Sequence, residues 1–524
     1  MYTLTQRPFI VFYITCLCLF ASQYALLSWS SFSDDDTHIM QLALSYDWLE
    51  PYLKPEVYQQ LSIVHFTPVV LSIYRAVLEL FGLNTNAFVV VQLLLIATFS
   101  ALSGFLCWRV TQRFSAGFLA IVLIFSNASL LPMLSRFYTI HYISGGIFAL
   151  LALLLIQQDS RYSTLKLAAL FSTTLLALLC KEVYLMLVPL LWILLWRCRS
   201  LSAVAVVTIS LGCYLGLRVY ILGLSSEGRY GQSFLADLLS IDIMTWGNFV
   251  QWYLSTKWLI VIAAVLGMVV APRKQSVYLL AAAAFALPAL AAPHAIRVPE
   301  MHGDRVFFIF DCGMVIASVM ALYTKAVTKK LAVSIIAAIF IIIIPLQRST
   351  IKTFAEHEIA NPAYQITYAI LYDLIKTPST VLTPLFYTQG ELMNIYRLLG
   401  NPWLEITQNC HQALAQNSGE RALIVFNNTG RQIASETLNQ TCELNGLPAG
   451  VNISPEFRKG VIQWDITVPI GYNGGVLLID RGFAIPMTKF RQRLARPKPG
   501  ERYQLFTNKD SQWWFSDIKT ISMY

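Results

Sequence analysis

The chain has 524 residues, 56% of them hydrophobic and only 13% charged, with a mean hydropathy of +0.57. An ordinary soluble protein carries about a quarter of its residues as charges, so lipid must be part of this chain's solvent. The net charge of +9 is spread over short loops and the tail, with no basic stripe or nucleic-acid motif, which speaks for membrane topology and against a nucleic-acid partner.

A helix rising about 1.5 Å per residue needs roughly 20 residues to cross a hydrocarbon core of about 30 Å. Runs near that length predict about eleven spans, near residues 8–28, 86–108, 114–132, 138–156, 164–180, 183–197, 201–222, 257–271, 275–293, 305–324 and 331–346. The first run follows Arg7 and resembles a signal peptide in length, but so many similar runs follow that it reads as a retained helix. A further apolar stretch, Thr67 to Leu83, reads as interfacial or re-entrant, because counting it as a span would put the Arg109 and Arg113 loop outside.

Orientation follows from the loops. With the N-terminus cytoplasmic, the inner loops hold Arg109 and Arg113, Arg161 and Lys166, Arg197 and Arg199, Arg273 and Lys274, then Lys325, Lys329 and Lys330, as the positive-inside rule requires. Most acids then fall in the outer connections. The first of these, Trp29 to Asn84, carries Trp48, Tyr52, Tyr58 and Tyr74, which suit the headgroup level. Another, Gly223 to Thr256, is long enough to fold over a site.

After Leu346 no spanning run remains, and an odd number of spans leaves the tail outside. Tyr364 to Lys376 and Glu391 to Leu399 read as amphipathic helices. Leu423 to Phe426, Val461 to Val468, Val476 to Asp480 and Tyr503 to Thr507 read as strands. The expected organisation is a polytopic helical domain, residues 1–346, followed by a mixed α/β domain, residues 347–524. Seven cysteines lie in or beside apolar helices, while Cys410 and Cys442 occupy the tail and would form a disulfide in an oxidising compartment.

The unusual charges lie on the outer side. Asp34, Asp35 and Asp36 stand just beyond the first helix, where a partly desolvated carboxylate suits proton abstraction from a hydroxyl, although such acids also cap helices. His65 precedes Phe66-Thr67-Pro68 in the same connection. Arg136, Tyr138 and His141 sit where the fourth span begins, a place where such residues also serve as anchors. Lys181 and Glu182 lie between two apolar runs with almost no loop, where each charge costs about 2.5 to 3.5 kcal/mol if drawn to the bilayer centre. An ion pair closing a tight helical hairpin would account for them structurally. His302, Asp304 and Arg305 open a later span, with Asp311 about two turns inside it. Acids could supply a base, and Arg, Lys and His could stabilise a departing phosphate.

In this order the motifs SDDD, HFTP, SRFYTIHYISGG, LLCKEVY and HGDRVFF resemble those of the C-type glycosyltransferases (GT-C superfamily), in particular its protein O-mannosyltransferase-like and aminoarabinose-transferase-like branches, over roughly residues 10–325. The resemblance implies a GT-C-like membrane fold and a sugar moved, with inversion, from a polyprenyl-phosphate donor to a glycan, lipid or protein acceptor on the outer face. It implies Asp35, with Asp34 and Asp36 beside it, as catalytic base, and Lys181, Arg305, His65 and Arg136 as contacts to the donor phosphate. Glu182, Tyr138, His141, His302 and Asp304 would complete the site. His65 stands where aminoarabinose transferases carry Lys, and Val306 where an aromatic is common. No nucleotide sugar is needed by this chemistry, and a divalent cation as cofactor stays open because family members differ in metal dependence. A bacterial inner membrane, with the tail periplasmic, is the expected location. An O-antigen-type polymerase or ligase, which would carry its long outer loop late in the span region, and a lipid-linked-sugar transporter, which would show repeated halves, are the alternative readings; here the long loop with acids comes first and no repeat is visible.

Overall fold

The computed structural model describes residues 3–24, 32, 36–62, 65–127, 129–156, 163–223, 240–270, 293–297 and 299–323, a few residues between 341 and 356, and the strands from residue 379 on with residue 516. Two compact units divide the chain: Met1–Ser30 with Leu42–Ala355, and Ser31–Gln41 with Glu356–Tyr524.

The described helices are α1 (Thr3–Tyr24), α2 (Asp36–Ser45), α3 (Glu50–Leu53), α4 (Pro55–Tyr58), α5 (Val69–Phe81), α6 (Thr85–Thr111), α7 (Phe114–Phe125), α8 (Leu130–Ser135), α9 (Ile140–Ile156), α10 (Thr164–Cys180), α11 (Leu187–Arg197), α12 (Leu201–Leu222), α13 (Ile243–Thr256), α14 (Trp258–Val270), α15 (Pro293–Arg297) and α16 (Pro299–Leu322). Four stretches among the described residues are long and apolar enough to cross a membrane: Thr85–Thr111, Phe137–Ile156, Leu201–Leu222 and Gly303–Leu322. A fifth results if α13 and α14, bent by 87° at their junction, count as one. The protein is therefore an α-helical membrane protein.

Local signals place the helix ends. The Asn84 side chain accepts from the Asn86 and Ala87 amides at 3.0 and 3.4 Å and starts α6, and Ser163 accepts from the Lys166 amide at 3.3 Å and starts α10; both satisfy amides that a helix start leaves orphaned. Gln112, at φ 56°, ends α6 in the left-handed region. Helices α6 and α7 then cross closely at two glycines. A Cβ on Gly104 would stand 2.9 Å from the Gly117 carbonyl, and one on Gly117 would stand 2.8 Å from the Gly104 carbonyl.

Two expected spans take a different form. The run 114–132 is helical only to Phe125, and the chain then turns through Asn127 into α8. Twelve residues cover about 18 Å, less than the hydrocarbon core. The run 183–197 opens with a 3-10 turn, Glu182–Met186, before the 11-residue α11. The expected spans near 275–293 and 331–346 lie almost wholly outside the described residues. Thr67 to Leu83 forms the 13-residue α5, about 20 Å long, with Val70, Tyr74, Val77 and Leu78 buried. That length suits an interfacial segment better than a span.

The strands belong to the second unit, and four of them coincide with the expected ones: β3 (Ala422–Phe426), β7 (Val461–Thr467), β8 (Asn473–Leu478) and β11 (Arg502–Lys509). Strands β1 (Ser379–Leu382) and β2 (Leu404–Thr407) join β3 in a parallel arrangement ordered β2-β1-β3, with β4 (Gln432–Ile433) antiparallel at its edge. Parallel neighbours need crossover connections of a dozen or more residues, and 21 residues separate β1 from β2. The helices expected at 364–376 and 391–399 lie outside the described residues. A second sheet pairs β6 (Asn452–Arg458), β7 and β10 (Arg493–Leu494), and a third joins β5 (Cys442–Glu443), β12 (Gln512–Phe515), β11, β8 and β9 (Phe483–Met487) in that order, with β13 (Lys519–Thr520) also paired to β11.

Candidate functional site

The site is built in the first unit, where three polar groups meet at helix ends. Helix α10 stops at Lys181, whose extended backbone (φ −163°, ψ 143°) hands the chain to the 3-10 turn that begins with Glu182. The Phe66 amide donates to Glu182 Oε1 at 2.6 Å. Glu182 Oε2 has no hydrogen-bond partner among the described residues, but His65 Nδ1 stands 3.5 Å from it and Lys181 Nζ 3.8 Å. Burial opposes ionisation of this carboxyl, yet the Lys181 charge and then His65 outweigh it, and Glu182 is held below the usual carboxylate range.

The His65 segment is itself fixed by Tyr58, whose hydroxyl donates to the His65 carbonyl at 2.7 Å and accepts from the Thr67 amide at 2.5 Å. This explains how Phe66, 116 positions before Glu182, is brought beside it together with His65.

The second group is the first turn of α9. Arg136 opens a 3-10 turn, Phe137–Thr139, and its carbonyl accepts from Thr139 Oγ1 at 2.7 Å and from Gln92 Nε2 at 3.2 Å. Tyr138 accepts a hydrogen bond from Arg305 at 2.6 Å, and the guanidinium lies 5.6 Å from its ring centroid. Four residues on, Tyr142 has Lys181 Nζ 5.5 Å from its ring. Two cations from distant segments therefore contact the chain four residues apart, one at the 3-10 turn and one at the first turn of α9. Between them, His141 stacks on Tyr142 at 4.5 Å. Both His141 ring nitrogens are buried without a hydrogen-bond partner among the described residues, apart from an electrostatic contact with the Tyr138 backbone.

Lys257 forms the third group. It is buried at the junction of α13 and α14, ion-pairs with Asp304, donates to Ser129 Oγ at 2.6 Å and lies 3.8 Å from Asp311 Oδ2. Asp311, fully buried, also accepts from the Tyr253 hydroxyl at 2.6 Å, Ser129 Oγ at 2.9 Å and Asn127 Nδ2 at 3.4 Å. Asp304 belongs to this network rather than to an open binding surface. Lys257, Ser129 and Tyr253 were not singled out by sequence reasoning. A lone Lys at the head of an apolar run reads as a snorkelling anchor, and only the burial of Asp311 called for a cation.

Of the remaining expected residues, Asp34 and Asp35 lie outside the described residues. Asp36 is the first residue of α2, is fully buried, and belongs to the second unit. His302 lies in α16, with its side chain outside the described set. Cys410 lies outside it as well, and Cys442 is placed only by its backbone, at the start of β5. Among the described residues, no group of three or more His, Cys, Asp or Glu could hold a metal ion.

Lys181 and Arg305 offer charge-assisted donors, His141 offers a buried imidazole, and Glu182 offers a carboxylate oxygen ion-paired to Lys181 and His65. Such a set can hold an anionic group and a hydroxyl together. No family model and no curated protein matches the chain.

Proposed function

We propose that the protein is a multi-pass inner-membrane glycosyltransferase with about eleven spans. It transfers a hexose or pentose, with inversion, from a polyprenyl-phosphate donor to an envelope glycan, lipid or protein acceptor at the outer face. Its α/β tail lies on that same outer side. The observation that carries this reading is the approach of Arg305 to Tyr138, in the 3-10 turn that leads into α9, and of Lys181 to Tyr142, in the first turn of α9. Two cations held at the end of membrane helices suit a phosphate whose lipid stays in the bilayer and whose bond to sugar is broken there. Asp35, beyond the end of α1, is the proposed base that takes the acceptor proton.

The test is transfer by the purified protein, reconstituted with a labelled polyprenyl-phosphate sugar and envelope acceptors, set beside a flipping assay on the same vesicles. Arg305→Ala is expected to lower transfer by about 100-fold to 1000-fold, the usual cost of one lost donor to developing negative charge. Asp35→Asn is expected to abolish it. Transfer at the wild-type rate in Asp35→Asn removes Asp35 as the base, and flipping without transfer removes the enzyme reading.

A further inference from the structure

Helix α13 lies within what the sequence presents as a loop. Asp242 starts it, accepting from the Thr245 amide at 2.7 Å. At about 100° per residue, its side chains fall into three stripes. Trp246, Phe249, Trp252 and Tyr253 face the protein: Phe249 and Tyr253 stand 5.2 and 5.9 Å from the Phe307 ring, and the Trp252 ring covers Gly303, where a Cβ would come within 2.5 Å. Ile243, Gly247, Val250 and Leu254, spaced four, three and four, form an exposed apolar stripe, with Ile243 86% and Leu254 50% exposed. Asn248, Gln251 and Ser255 form an exposed polar stripe about 100° around the axis from it, with the exposed Met244 at its N-terminal end as the one apolar member.

The next helix is different. On α14 the exposed residues Ile262, Val265, Leu266 and Val269 are all apolar, with no polar stripe beside them. That is the pattern of a helix immersed in lipid, and α13 meets it at 87°. A helix at a right angle to an immersed one runs along the membrane plane, where one flank meets acyl chains and the other meets water.

We infer that α13 is docked on the bilayer surface, with Ile243, Val250 and Leu254 in the headgroup–acyl boundary and Asn248, Gln251 and Ser255 in water, clamped at the right-angle junction by Lys257. The clamp is double. Tyr253, on the last turn of α13, donates to Asp311, and Lys257, at the junction, bonds Asp304 and Ser129. Both tie the surface helix to α16, which carries Arg305. The bilayer is favoured over a protein partner because a partner would cover one contiguous face, whereas here apolar and polar stripes lie side by side on the open half of the helix.

The test uses single spin labels at 243, 250 and 254 and at 248, 251 and 255, in full-length protein with its other reactive cysteines replaced, in vesicles of phosphatidylethanolamine and phosphatidylglycerol. Oxygen, which partitions into lipid, is expected to relax the first three labels more than a water-soluble nickel chelate does, with the order reversed for the second three. Nickel access at both stripes, oxygen access at both, or neither reagent at either would each overturn membrane docking. All six positions are exposed, so labelling does not disturb packing. Lys257→Met is expected to weaken the contrast, and an unchanged contrast would overturn the clamp. None of these outcomes depends on sugar transfer.

Discussion

At the scale of single residues, charge in a low-dielectric setting is decided by its partners. Glu182 is held ionised by Lys181 and His65 against the cost of burial. A carboxyl with a depressed folded-state pKa contributes stability above its unfolded value, about 4.3, and loses it as pH falls through the folded value. Wild-type protein in detergent is therefore expected to melt above Glu182→Gln at pH 7, with the gap starting to narrow below about pH 4 and shrinking further as pH falls toward the depressed folded value; a gap that does not narrow below that point would contradict the linkage. Lys257 offers a harsher case. Lys257→Met leaves Asp304 and Asp311 facing one another without a cation, and breaking such a buried pair costs about 3 to 5 kcal/mol. Asp304 is a quarter exposed, which places the expected loss at the lower end of that range. Adding Asp311→Asn to Lys257→Met should recover part of it, as read by thermal or denaturant unfolding. Arg305 and Glu182 were legible as unusual charges from sequence, since neither suits its apolar context. Lys257 was not, because a cation at a span end is ordinary until its burial is known.

Elements show where hydropathy and geometry part company. The run Phe114 to Pro132 is apolar on average, yet α7 stops at Phe125, just before the polar residues Ser126, Asn127 and Ser129, and Asn127 and Ser129 are spent on Asp311 rather than on continuing a helix. The short α11 arises similarly, from the 3-10 turn that aims Glu182 at Phe66. That turn also brings Tyr184 against α9. A Cβ on Gly145 would meet the Tyr184 ring at 2.1 Å, while the Tyr184 hydroxyl is already held by the Tyr142 carbonyl. Gly145→Ala is therefore expected to destabilise by about 1 to 3 kcal/mol, the cost of overpacking. Gly216→Ala on α12, where a Cβ meets nothing within 4 Å, should stabilise or leave stability unchanged. Equal melting shifts for the two variants would show that the close approach is not made.

For the whole molecule, alternation of charge across short loops is the ruling pattern, and it makes a testable statement about the proposed topology. A reporter active only outside the cytoplasm should be silent when fused after residue 160 and active when fused after residue 524. Activity at neither site, or at both, would mean that an even number of spans separates them, and activity at residue 160 with silence at 524 would mean that an odd number of spans precedes residue 160; either result overturns the topology. Membrane character, the α5 segment and four tail strands were readable from the sequence because each depends on local hydropathy or a period of two or 3.6 residues. The conjunction of Phe66 with Glu182, of Arg305 with Tyr138 and of Lys257 with Asp311 depends on pairs separated by 116, 167 and 54 positions, the last being the difference between 257 and 311. Nothing local encodes such pairs. The sequence by itself determined that this chain lives in lipid and that its odd charges gather at helix ends, because the cost of exposing charge to hydrocarbon is paid residue by residue. Only the tertiary structure decided which charge faces which, because that choice is made where helices distant in sequence cross.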